Sequence, residues 1–299
     1  MSKYAEFDFH LHTLWSYDAV APVEEYFRLA RERNIKTIAI TDHHIIDAWE
    51  EVKAAGEKYP DIKYIAGAEL TVRTPYGSMD MVCLNMPEKP EGDLAKVLDM
   101  YHTWQREYGA AMSRVLTTGG YPFTDKDRYD LLTRYREKRC MDLQGTTHVQ
   151  GHLIVDYLVD EKKYFADKAA YSEFMSQYQL PPYPDYSVVI PAVKAAGALV
   201  FIAHPTRYFL RNDLNRMDTL REILQLDGIE CAHNSVPDEL TPFYREYCLK
   251  HKLLSTAGSD CHSLEGQTYR FSAQHDIGVH NGITAWRDEI AERVKIYNA

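Results

Sequence analysis

The chain has 299 residues, a hydrophobic fraction of 45% and a net charge of −10, which suits a globular protein with a substantial core. That charge leaves no electrostatic case for wrapping nucleic acid or coating an anionic membrane. The first six residues carry no apolar signal core, no stretch approaches membrane-spanning length, and the five cysteines lack CxxC spacing, so reduced thiols and a cytoplasmic location are expected.

A short apolar run opens the chain and ends in Phe7-Asp8-Phe9-His10-Leu11-His12-Thr13, with Asp18 following. Side chains two apart in an extended segment point the same way. His10 and His12 can therefore offer two imidazoles to one metal ion, while the next turn brings Asp18 round. Taken alone, the pattern also fits two surface histidines beside a turn aspartate.

A helix is predicted over residues 23–33, with Pro22 at its start, Asn34 at its end, and Val23, Tyr26, Phe27 and Ala30 on one face. Residues 35–40 read as a strand running into Thr41-Asp42-His43-His44. A second helix, 47–58, leads to a strand over 62–68 that ends at Glu69. This βαβαβ order predicts a parallel sheet covered by helices, with a candidate ligand at the end of each strand.

Residues 79–84 read as a fourth strand, with Asp80 near its start. From 91 to 185 the pattern turns helical, with Leu94, Val97, Leu98 and Tyr101 at helical spacing and Pro181-Pro182-Tyr183-Pro184 as its close. This segment is expected to be an inserted helical cap facing the ligand rim, leaving 1–90 and 186–299 as the barrel. The alternation then resumes: helix 188–196, strand 198–203 into His204-Pro205, helix 213–225 and strand 228–231. Helix 238–250 and strand 253–257 follow, running into Gly258-Ser259-Asp260-Cys261-His262, and a last helix spans 284–297. About seven strands result, and the fold class is α/β.

Ligands and catalytic groups in such folds gather at the carboxyl ends of parallel strands. His10, His12, His43, Glu69, His204, Asp260 and His262 all fall at predicted strand ends, a coincidence too large for chance. Glu230 reads as an acceptor behind the ligands, Asp42 and His44 as supporting residues, and His233 and His275 as near the rim. Cys261 should point into the barrel wall. His102, His152, His251 and His280 have no partners by spacing.

As a set, the HxH, the following Asp, TDHH, the strand-end Glu, AHP and GSDCH resemble the PHP (polymerase and histidinol phosphatase) family of the amidohydrolase superfamily. The resemblance covers the chain outside the insertion. Within and just after the insertion, Thr147-His148, Tyr183 and Arg207 are similar to features of the small-nucleotide phosphatase branch. It implies a distorted (β/α)7 TIM-like barrel holding two or three divalent metal ions, Mn, Fe or Zn. By that resemblance His10, His12, Glu69 and Asp260 hold the first ion, with Glu69 bridging to a second served by His204. Asp18, His43 and His262 hold a third. Where the family normally has a further histidine, this chain has Asp80, either a substitute oxygen ligand or a proton carrier.

Such ions lower the pKa of a shared water to give hydroxide at neutral pH and neutralise phosphoryl oxygens. The expected activity is hydrolysis of a small phosphorylated metabolite, a nucleotide bisphosphate or a sugar phosphate, cyclic forms included. Arg207 is read as a clamp on a second phosphate, and His148 as a contact to a phosphate oxygen or a proton donor to the leaving group. A histidinol-phosphate phosphatase is the alternative within the family. An exonuclease needs an open cationic groove, for which Arg128, Arg134, Arg136, Lys138 and Arg139 are the only basic cluster. A non-catalytic metal-binding regulatory module would ordinarily have lost ligands, which this chain keeps.

Overall fold

Strand β1 (Phe7–Leu11) is buried along its whole length, as are β2 (Thr37–Ile40) and β5 (Leu199–Ile202). Burial on both faces explains why β2 and β5 are nearly continuous apolar runs, whereas β1, Phe-Asp-Phe-His-Leu, alternates and buries Asp8 and His10 as well. The computed structural model describes residues 3–209, 213–269 and 275–299. The chain divides into two units, one of Met1–Asp99 with Tyr183–Ala299 and one of Met100–Pro182.

In the first unit seven strands follow the order β1-β2-β3-β4-β5-β6-β7, the others being β3 (Lys63–Thr74), β4 (Gly77–Leu84), β6 (Gly228–Ala232) and β7 (Leu254–Ala257). The loop after β7 folds back on β1: the Asp260 amide donates to the His10 carbonyl at 2.8 Å and the His12 amide to the Cys261 carbonyl at 3.0 Å. The sheet is thereby a nearly closed barrel. Gly258 permits this approach, since a Cβ there would stand 2.2 Å from the His10 Cβ.

Helix α1 (Val23–Glu32) buries Val23, Tyr26, Phe27 and Ala30, one stripe at helical spacing. Asn34 ends it at φ 62°, a left-handed conformation that asparagine tolerates well. Helix α2 (Trp49–Lys58) crosses from β2 to β3.

The sheet is not wholly parallel. β3 continues past Glu69 to Thr74 and turns through Pro75-Tyr76 into β4, which pairs antiparallel with both β3 and β5. The expectation that a strand ends at Glu69 is therefore corrected: Glu69 lies within β3. A two-residue connection can join only antiparallel strands, whereas a parallel pair needs a crossover of a dozen residues or more. The reversal is also what brings Asp80 to the rim, because the amino end of β4 lies beside the carboxyl end of β3. The closing helix, Thr284–Ala291, is shorter than expected.

The second unit is helical. The long helix Gly92–Thr118 runs into it, and Asp125–Leu132, Lys138–Gln144, Gly151–Asp156 and Lys168–Met175 follow. Gly109 lets the 147–148 segment lie against the long helix, as a Cβ there would sit 2.8 Å from the Thr147 carbonyl oxygen. Among the described residues no helix is long and apolar enough to cross a membrane.

Candidate metal centre

The rim of the first unit gathers side chains on or just after six strands, β1 to β5 and β7. Glu69 is at its middle. Its Oε2 lies 3.3 Å from Nε2 of both His10 and His12 and 3.1 Å from Nδ1 of His43, while its Oε1 lies 3.2 Å from Nε2 of His204. Asp260 Oδ1 faces Nε2 of His12 at 3.1 Å and of His10 at 3.5 Å. Asp18 Oδ2 stands 3.4 Å from His43 Nε2 and 3.6 Å from His262 Nε2. Asp80 Oδ2 is 3.7 Å from His204 Nε2.

Among the described residues five groups have their ligand atoms within 4.8 Å of one another, and three of these are built from the expected ligands: His10, His12, Glu69 and Asp260; Glu69, Asp80 and His204; and His12, His43 and His262. These three groups hold eight of the nine residues that the sequence marks as ligands, and the ninth, Asp18, faces His43 and His262. Arg207 sits at the edge of the second group, its Nη1 4.0 Å from Asp80 Oδ2 and its side chain 56% exposed. His148 belongs to the second unit, where its ring packs edge-on against Trp104 and Tyr108.

The atoms facing this centre fit divalent metal. His10 Nε2, His12 Nε2, Asp18 Oδ1 and Glu69 Oε2 are buried and have no hydrogen-bond partner among the described residues, although buried polar atoms are nearly always paired. Mixed imidazole and carboxylate donors suit Mn, Fe or Zn.

A supporting layer holds the donors in place. Glu230, on β6, lies 2.9 Å from His10 Nδ1 through Oε1 and accepts from the His204 amide through Oε2. Its contact fixes His10 with Nε2 turned inward, as a carboxylate behind a ligating histidine does. Asp42 accepts from the Thr13 hydroxyl at 2.7 Å and anchors the turn after His12. His233 is buried, and its Nδ1 accepts from the Ser235 amide at 2.9 Å. Its Nε2 faces the outer oxygen of Asp260 at 3.5 Å, and His233 takes part in two further groups that could hold a metal, with His10 and Glu230 and with Asp260 and His275. Cys261 is buried in the wall, and burial lifts its thiol to about 12. His280, read as partnerless, is bound to the Phe7 carbonyl at 2.7 Å; that contact spans the whole chain, and no spacing in the sequence signals it.

Charge and strain concentrate here. Burial works against charged imidazoles, yet Glu69, Glu230 and Asp260 hold His10 well above its ordinary value, and Asp18 and Glu69 bring His43 to about 10. Burial likewise works against the carboxylates. The imidazoles of His43 and His262 nevertheless hold Asp18 well below the usual range, and His10 and His43 do the same for Glu69. Burial and the charge of Asp80 push the Tyr208 phenol up, so its hydroxyl stays a donor. His44, His204 and Asp260 adopt positive φ of 68°, 29° and 55°, a costly backbone for non-glycine residues that gathers at functional sites.

An α/β barrel carrying such a donor set at its rim defines a metal-dependent hydrolase. The PHP domain model matches residues 8–179, and the chain belongs to the PHP domain family, whose chemistry makes it a hydrolase of phosphoric esters. A 5'-3' exoribonuclease of Haemophilus influenzae is 22% identical over 262 residues, covering 86% of this chain and 90% of that protein. An amidohydrolase structure from Chromobacterium violaceum, with bound sulfate and no metal, superposes with a TM-score of 0.75 at 21% identity over 99% of both chains. A proposed metal-dependent phosphoesterase from Bifidobacterium adolescentis gives a TM-score of 0.72 at 24% identity over 97% of both.

Proposed function

We propose that the protein hydrolyses a small phosphorylated metabolite, a nucleotide bisphosphate or a sugar phosphate, with two or three divalent ions at the rim. The observation that carries this reading is the convergence of Glu69, Asp260, Asp18 and Asp80 with His10, His12, His43, His204 and His262, where Nε2 of His10 and of His12 and Oε2 of Glu69 have no hydrogen-bond partner among the described residues. His10, His12, Glu69 and Asp260 would hold one ion, Glu69, Asp80 and His204 a second, and Asp18, His43 and His262 a third. Bound ions would lower the pKa of a water and offset phosphoryl charge during displacement. Glu230 and Asp42 keep the donors oriented, and Arg207 offers a planar fork to a second phosphate. His148 is proposed to donate a proton to the leaving group, a role read from activity and pH profile of His148→Gln.

A second reading, the 5' end of an RNA, is favoured by the exoribonuclease relative. The basic residues of the helical unit argue against a cationic groove. Arg134 is paired with Glu161, Lys138 with Asp142 and Arg139 with Glu137. Arg128 and Arg136 are buried and bonded to Ser113, Asp125, Thr147 and Gln144. The deciding experiment offers Mn²⁺-loaded protein nucleoside bisphosphates, sugar phosphates, histidinol phosphate and a 5'-phosphorylated oligoribonucleotide, and measures phosphate or nucleotide release. Preference for a small bisphosphate supports the first reading. Stepwise digestion of the RNA with inert small substrates supports the second, and inert substrates throughout would reject both.

A further inference from the structure

Asp80 differs from the other rim carboxylates in how it is held. Thr71 and Asp80 are register partners across β3 and β4, so their side chains share a face with Glu69, two residues before Thr71. The Thr71 hydroxyl donates to Asp80 Oδ1 at 2.6 Å. The Tyr208 hydroxyl donates to Oδ2 at 2.7 Å and accepts from the Asp80 amide at 3.0 Å, gripping backbone and carboxylate together. Behind Thr71, His44 Nε2 lies 2.9 Å from the same hydroxyl. A threonine hydroxyl has one proton. Since that proton goes to Asp80, His44 must present N–H, and the chain runs in one direction, His44 to Thr71 to Asp80.

From this geometry we infer that Thr71 and Tyr208 are positioning residues that turn Asp80 into the oxygen-donor member of the Glu69–Asp80–His204 group, where the family resemblance expects an imidazole. Each Asp80 oxygen has a second lone pair after accepting its hydroxyl. On Oδ2 that pair is left beside His204. Two fixed donors restrict a carboxylate that could otherwise rotate, in the way outer partners fix ligating histidines. The inference rests on the reading of this group as a metal site.

The test is a titration with Mn²⁺ alone, in competition with a chromophoric chelator and checked by elemental analysis, so that no substrate is involved. Tyr208→Phe and Thr71→Val should each weaken one Mn²⁺ site by about 10–100-fold, the usual effect of losing such a partner. Thr71→Ser, which keeps the hydroxyl, should bind as wild type. In an Asp80→Asn background Tyr208→Phe should add little. A folded Tyr208→Phe with wild-type affinity overturns the inference. If that variant does not fold, equal affinities for Thr71→Val and Thr71→Ser overturn it instead. Wild-type protein that binds no Mn²⁺ would reject the metal site itself, a result distinct from either of those.

Discussion

Buried polar groups serve opposite ends in the two units. In the helical unit the buried guanidinium of Arg128 is bonded to Ser113 and Asp125, and that of Arg136 to Thr147 and Gln144. At the barrel rim, His10, His12 and Glu69 are as deeply buried, yet Nε2 of each histidine and Oε2 of Glu69 make no hydrogen bond among the described residues. Burial of polar residues alone thus does not mark a functional site. Unpaired buried atoms occur in both units, Arg128 Nε among them, but at the rim several converge on one point, which is where a ligand fits.

The largest effect is expected where the unpaired atoms are. His10→Ala or Asp260→Ala should remove bound metal and cost at least about 10³-fold in kcat/KM, roughly 4 kcal/mol of transition-state stabilisation. Unchanged metal in both variants, by elemental analysis, would break the comparison from the barrel side.

Arg207→Ala comes next. The lost contact to a second phosphate should raise KM for a bisphosphate about 30-fold, roughly 2 kcal/mol, and leave metal content unchanged. Identical kinetics would make this half-exposed side chain a solvated one.

From the helical side, Arg136→Met should lower unfolding stability by about 1–3 kcal/mol, because Thr147 and Gln144 lose their partner. Metal content should not move. A variant of normal stability that has lost metal would invert the assignment of roles.

The smallest effect is in protons. In metal-stripped protein His43 has a value of about 10 against 6.5 for the free group. Its stabilising contribution is complete below about pH 6.5 and is lost as the pH rises toward 10. Asp18, Glu69 and Asp260 are depressed, so their contribution is present above roughly pH 4 and is lost in acid. Mn²⁺ binding at pH 7 should therefore release protons. Calorimetry in two buffers of different ionisation enthalpy should give different heats, and equal heats would mean that no protons are released from the imidazoles.

Much of this arrangement was legible along the chain. Apolar runs ending in His, Asp or Glu placed β1, β2, β5 and β7, and the rim with them. The antiparallel β4 was hidden because Glu69 looks like a terminus, while the Pro75-Tyr76-Gly77 turn that signals a hairpin follows several residues later. The partners of Asp80 were hidden for a different reason. Tyr208 lies 128 residues further along the chain, after the strand that pairs with β4, and only the sheet register reveals that Thr71 is opposite. His233 was legible only as a residue near the rim, and its approach to Asp260 at 3.5 Å appears only in the fold.

The central claim is that the barrel rim binds divalent metal in order to hydrolyse a phosphoester. Elemental analysis of the purified protein, followed by Mn²⁺ reconstitution of stripped protein with phosphate release from a bisphosphate measured at each metal level, tests it most directly. The account predicts more than one ion per chain and hydrolysis that rises with occupancy. A chain that takes up no divalent ion at saturating Mn²⁺, or fills its sites without any phosphate release, would contradict it.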